Sequence, residues 1–141
     1  VTVRRLNLES EYPMIEKWWT DRGSTAPQQC LLPPVGVVSE LEHIPIACAF
    51  LYQVQFVPIG IVEWECTNPD ISSALLRLRG LNKVFDFFET FCADQGIKTI
   101  FSWVAKGRGD GRLLAGRHWV KCEGERHELM AFSVKEEACL P

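Results

Sequence analysis

The spacing of apolar positions changes several times along this chain, and each change marks an element. "TVRRL" at 2–6 reads as a short first strand. "ESEYPMIEKWWTDRG" at 9–23 sets Met14, Ile15, Trp18 and Trp19 at helical spacing, with Gly23 beyond the end. "STAPQQCLLPP" is a loop, "VGVVSEL" a strand and "EHIP" a turn. "IACAFLYQV" and "PIGIVEWEC" are dense in apolar and β-branched residues, the mark of central strands. After the breaker "TNPD", a helix over about 74 to 95 carries Leu81, Val84, Phe85, Phe88, Phe91 and Cys92 on one face, and Gly96 stops it. "KTIFSWV" is a strand, "AKGRGDG" a polar loop and "RLLAGRHW" a short helix. "VKCEGERHELMAFSV" closes as a hairpin turning at Glu123-Gly124-Glu125.

The resulting order is β-α-β-β-β-α-β-α-β-β. Hairpin-linked strands come before a strand–helix–strand crossover, so the expected class is α+β around a mixed central sheet with flanking helices. With 141 residues and no internal repeat or long linker, one domain over 1–141 is expected. A hydrophobic share of 47% against 23% charged is that of an ordinary globular protein. No apolar run approaches the roughly 20 residues of a membrane span. "VTVRRLNLES" has no signal-like apolar core, and the expected compartment is the cytoplasm.

Charge sharpens the picture. Residues 1–76 hold 4 Lys/Arg against 9 Asp/Glu, whereas 77–126 hold 10 against 6. The basic surplus begins at Arg77, and a phosphate-bearing cofactor or nucleic acid would suit it. Cys30, Cys48, Cys66, Cys92, Cys122 and Cys139 show no close pair of the zinc-binding kind. Most lie in apolar patterns such as "PIACAFLY" and read as buried thiols. No metal is expected.

One stretch departs from its pattern. "SALLRLRGLN" puts Arg77, Arg79 and Gly80 near the positive end of a helix, where carboxylates are normally favoured. An interior helical glycine costs about 1 kcal/mol relative to alanine. If the helix starts near Ala74, Gly80 lies inside it and the arginines are a solvated face. If it starts at 80–82, Gly80 belongs to a phosphate-binding loop. The second reading is favoured here, because it lets the arginines and the helix end share one anion.

The order, the length and a set of segments together resemble a known family. The segments are "WW" in the first helix, "LLPPVGVV", "PIACAFLYQ", "IGIVEWECTNP", "LNKVFDFFETFCADQGIKTIFSWV" and "LLAGRHWVKCEGERHELMAFSV". They resemble the GCN5-related N-acetyltransferase superfamily, which transfers acyl groups from acyl-coenzyme A, and within it the compact variants of phages and prophages. Arg77-Leu78-Arg79-Gly80-Leu81-Asn82 matches that family's R-x-x-G-x, with Asn82 where a small residue is usual.

The resemblance implies acetyl-CoA as co-substrate, a small-molecule or protein amine as acceptor, and no metal. It implies cofactor contacts at Arg77, Arg79, Gly80, Leu81 and Asn82, and at the strand backbone of Trp64, Glu65 and Cys66. Glu63 and Glu65 alternate with Val62, Trp64 and Cys66, so both are expected on one face, with Glu63 the better general base. The family's acid tyrosine falls on Leu114, which leaves His118 or water to protonate the leaving thiolate. Lys106, Arg108 and Arg112 could reach an adenosine-side phosphate, and Trp18 or Trp19 could border the acceptor. The rival expectation is a repurposed fold that binds or modifies nucleic acid, and a third is a scaffold. An exposed strand edge or apolar loop would allow a homodimer.

Overall fold

The computed structural model describes residues 1–105, 109–122 and 127–133. Its elements are β1 (Thr2–Arg5), α1 (Leu8–Asp21), β2 (Val35–Leu41), β3 (Ile44–Gln53), β4 (Ile59–Thr67), α2 (Ala74–Asp94), β5 (Thr99–Ala105), α3 (Gly109–Gly116), β6 (Val120–Cys122) and β7 (His127–Ser133), with one 3-10 turn at Gln29–Leu31. This is the expected order. The strands form one sheet in the order β1-β2-β3-β4-β5-β7-β6. β4 and β5 run parallel, while β1–β2, β2–β3, β5–β7 and β6–β7 are antiparallel. The fold is therefore a mixed α+β sheet with flanking helices. The turn expected at 123–125 lies outside the described residues.

The chain divides into two compact units, Val1–Tyr52 with Glu63–Phe87, and Gln53–Val62 with Phe88–Pro141. In the first, α1 starts because Asn7 caps it: its side chain accepts the N–H groups of Glu9 and Ser10 at 3.2 and 3.3 Å. Glu11 reaches back to the Asn7 N–H at 2.8 Å. Arg4 grips Glu11 with two bonds of 2.7 and 3.0 Å and donates to Glu40 at 2.9 Å. The guanidinium beside it holds the Glu11 carboxyl below its usual range. The buried stripe of α1, Ile15, Trp18 and Trp19, closes a core with Leu6, Leu32, Val38, Cys48, Phe50 and Cys66.

The β2–β3 register shifts between Ser39 and Glu40, where Ser39 faces Ala47 and Glu40 faces Pro45. Ile46 is the extra residue of this bulge. α2 lays Leu81, Val84 and Phe85 into the interior of the same unit.

In the second unit β4 pairs with β5 from Ile59↔Thr99 to Val62↔Ser102. Phe88 and Cys92 continue the buried face of α2. That helix ends on Gly96 at φ +70°, with Ile97 N–H bonding the Cys92 carbonyl at 2.8 Å. Glu89 accepts two bonds from Arg117 (3.1 and 2.8 Å) and one from the Trp119 indole (3.0 Å). Trp119 in turn stacks on Phe132 at 5.7 Å. α3 begins at Gly109, one turn earlier than the expected "RLLAGRHW".

Candidate active site

β4 carries most of the residues singled out by sequence. Trp64 has φ +61°, a left-handed conformation that costs a bulky residue energy and turns the neighbouring peptide groups out of the regular ladder. Its ring meets Trp19 edge-on at 6.1 Å, and its indole N–H donates to the Tyr52 hydroxyl at 3.0 Å. That hydroxyl donates to the Leu31 carbonyl at 2.9 Å. The far end of β4 is held as well. Arg22 binds the Thr67 carbonyl and hydroxyl at 3.0 and 2.6 Å, and the Asn68 side chain donates to the Pro45 carbonyl at 2.9 Å.

Glu63 and Glu65 are both half-buried. Trp64 between them has positive φ, yet exposure still alternates along β4, with Val62 and Cys66 buried and the two glutamates half-buried. Cys66 is buried in the first unit's core. Burial pushes the Cys48 thiol well above its ordinary value, which a backbone hydrogen bond from Cys66 only partly offsets. Cys48, Cys66 and Cys92 are the buried thiols expected, while Cys30 is exposed.

The phosphate-loop expectation is overturned in its geometry. α2 begins at Ala74, capped by the Ser73 hydroxyl, which accepts the Leu76 N–H at 3.2 Å. Gly80 therefore lies nearly two turns inside the helix, and the N–H groups of 78–82 belong to a helical segment. The glycine has another cause. A Cβ at position 80 would collide with the Ile46 Cγ2 and come within 2.8 Å of the Ser39 hydroxyl and 3.0 Å of the Ile46 Cβ. Close packing of α2 on β2 and β3, rather than a ligand, excludes a side chain there.

Arg77 is half-buried and its guanidinium donates to the Ile71 carbonyl, so it closes the β4–α2 connection. Arg79 is exposed, Leu81 is buried, and the Asn82 side chain donates to the Leu78 carbonyl at 3.2 Å. The cationic side chains of the expected anion site remain; its backbone cradle is absent.

In the second unit, His118 is exposed at φ +66° and closes the C-terminus of α3. Its N–H bonds the Ala115 carbonyl at 3.3 Å while Trp119 N–H bonds the Leu114 carbonyl at 3.1 Å. Leu114 is fully buried. Arg112 is exposed, while Lys106 and Arg108 lie outside the described residues. Among the described residues no group of His, Cys, Asp and Glu could hold a metal ion, and no helix is long and apolar enough to cross a membrane.

Sequence reasoning missed the joint arrangement of Trp19, Tyr52, Trp64 and Leu31. Part of the signal was present, since Cys48, Phe50 and Tyr52 alternate along β3 toward the α1 side. The left-handed residue that completes the arrangement leaves no mark in a tryptophan.

No family model matches the sequence, and no curated protein matches it. Solved structures do match. Ard1 from Thermoplasma volcanium is 11% identical over 96% of this chain and 98% of its own, with a TM-score of 0.77. The ribosomal-protein-S18-alanine N-acetyltransferase from Escherichia coli is 13% identical over 99% and 98%, with a TM-score of 0.72. N-acetylglutamate synthase from Neisseria gonorrhoeae, complexed with coenzyme A and N-acetyl-glutamate, is 13% identical over 95% of this chain, with a TM-score of 0.71. The chain spans only 35% of the length of that synthase. What it shares with all three is architecture: this is the GCN5-related N-acetyltransferase fold.

Proposed function

We propose that this chain is an acyl-CoA-dependent N-acyltransferase of the compact, phage-like type, moving an acetyl group from acetyl-CoA to an amine. The observation that carries this reading is the left-handed break in β4 at Trp64, within a fold whose solved examples include a coenzyme A complex. We assign the thioester carbonyl to the β4 backbone around this break, at Trp64 and Glu65, while the Cys66 backbone, also expected there, already meets the buried Cys48 thiol.

In the reaction the neutral amine attacks the thioester carbon, the C–N bond forms, and negative charge collects on the carbonyl oxygen. Collapse then breaks the C–S bond and releases the thiolate. Glu63, with Glu65 as the other candidate, takes the proton lost by the amine. Water returns a proton to the sulfur. Arg77 and Arg79 would meet the cofactor phosphates through their side chains, with Gly80, Leu81 and Asn82 supporting them as helix rather than as a loop.

Calorimetric titration of acetyl-CoA tests the reading. Micromolar binding is expected for the wild type, falling at least about ten-fold in Arg77→Ala/Arg79→Ala, as loss of charge-assisted contacts to phosphate would produce. Absence of saturable binding to the wild type would overturn it. The second reading, a fold kept for binding or modifying nucleic acid, is favoured by the helical 74–82 segment and the buried leucine at the acid position. It requires retention on DNA or RNA that weakens with salt.

A further inference from the structure

Among the described residues five non-glycines have positive φ: Glu42, His43, Phe56, Trp64 and His118. Four sit in turns or at a helix end, and Trp64 alone lies within a strand. A bulky side chain persists there only when its surroundings over-determine it. The surroundings act through the indole. Its ring is set against Trp19, and its N–H is spent on the Tyr52 hydroxyl, which is itself spent on the Leu31 carbonyl. One hydroxyl on β3 thus ties β4 to the 3-10 turn. A phenol can do this because it accepts and donates at the same oxygen.

We propose that Tyr52 is a positioning residue. By linking the Trp64 indole N–H to the Leu31 carbonyl through its own hydroxyl, it fixes the left-handed backbone of β4 and the direction of the peptide groups offered to a thioester carbonyl. The inference rests on the acyl-transfer reading. Phenylalanine at 52 would fill nearly the same space while supplying neither acceptor nor donor.

The test compares two ligands that differ in the carbonyl. Acetyl-CoA and CoA are titrated into wild type, Tyr52→Phe, Trp64→Gly and the double variant. Tyr52→Phe is expected to weaken acetyl-CoA about ten-fold while CoA changes less than about two-fold, because only the acetyl group uses the oriented backbone. In the Trp64→Gly background the same change should have no further effect, since no indole remains to be held. Equal weakening of both ligands, or an undiminished effect in that background, would overturn the proposal.

If the wild type binds neither ligand, acyl transfer fails as a reading, and the clamp is judged by NMR of the Trp64 indole N–H. Loss of its protection from exchange in Tyr52→Phe upholds the clamp. Unchanged protection removes it.

Discussion

Position 80 holds a glycine where the backbone is ordinary helix, and position 64 holds a tryptophan where φ is +61°. By backbone preference alone, each residue suits the other's position. The comparison separates two reasons for a residue's identity. At 80 the space decides: Ile46 and Ser39 occupy the volume a Cβ would need, and the helix accepts a poor helix former to come close. At 64 the partners decide: Trp19 and Tyr52 hold a large ring, and the backbone accepts a strained conformation to deliver it.

The largest effect should come from forcing a methyl group into the crowded site. Gly80→Ala is expected to lower stability by about 3 kcal/mol, the scale of overpacking a well-filled core. Denaturant unfolding would measure it. Adding Ile46→Ala should return part of that loss, because Ile46 carries the nearest obstructing atom. A neutral Gly80→Ala would end the argument from space.

Gly96 sharpens the contrast. It has φ +70° with nothing within 4 Å of a hypothetical Cβ, so conformation alone accounts for it. Gly96→Ala should cost about 1–2 kcal/mol, the penalty of an L-residue in the left-handed region. A larger side chain there should cost no more than alanine. At 80 the cost should climb with size.

The smallest effect is a reversal of rank. In an ordinary strand glycine is worse than alanine, whereas Trp64→Gly should be more stable than Trp64→Ala by about 0.5–1 kcal/mol, the left-handed penalty partly offset by glycine's entropy. Both variants lose the same ring contacts, so the difference reports the backbone. Alanine ranking above glycine in thermal unfolding would show that position 64 is not held left-handed in solution.

The strands and helices were legible because their apolar periodicity is strong. "VGVVSEL" is β2 residue for residue, and the buried face of α2 includes Leu81, Val84, Phe85, Phe88 and Cys92. What misled was local chemistry with two physical causes. A glycine near arginines at a helix start suits an anion loop, and it equally suits a tight helix–sheet crossing. The start of α2 at Ala74 and the position of Ile46, set by a bulge in another element, distinguish them. The break in β4 stayed hidden for a related reason: a tryptophan does not announce a left-handed backbone. His118 is comparable, its left-handed φ being set by the closing bonds of α3.

The Gly80 crossing also ties the seating of the helix to strand register. Ser39 and Ile46 come from the two strands of one hairpin, and both lie beneath the glycine only in the register that places the bulge between Ser39 and Glu40. A slip of one residue would turn a different set of side chains toward the helix. α2 would then meet the wrong relief and could not seat at the same depth. A missing methyl group thus makes the depth of the helix answer to the pairing of two strands that precede it in the chain.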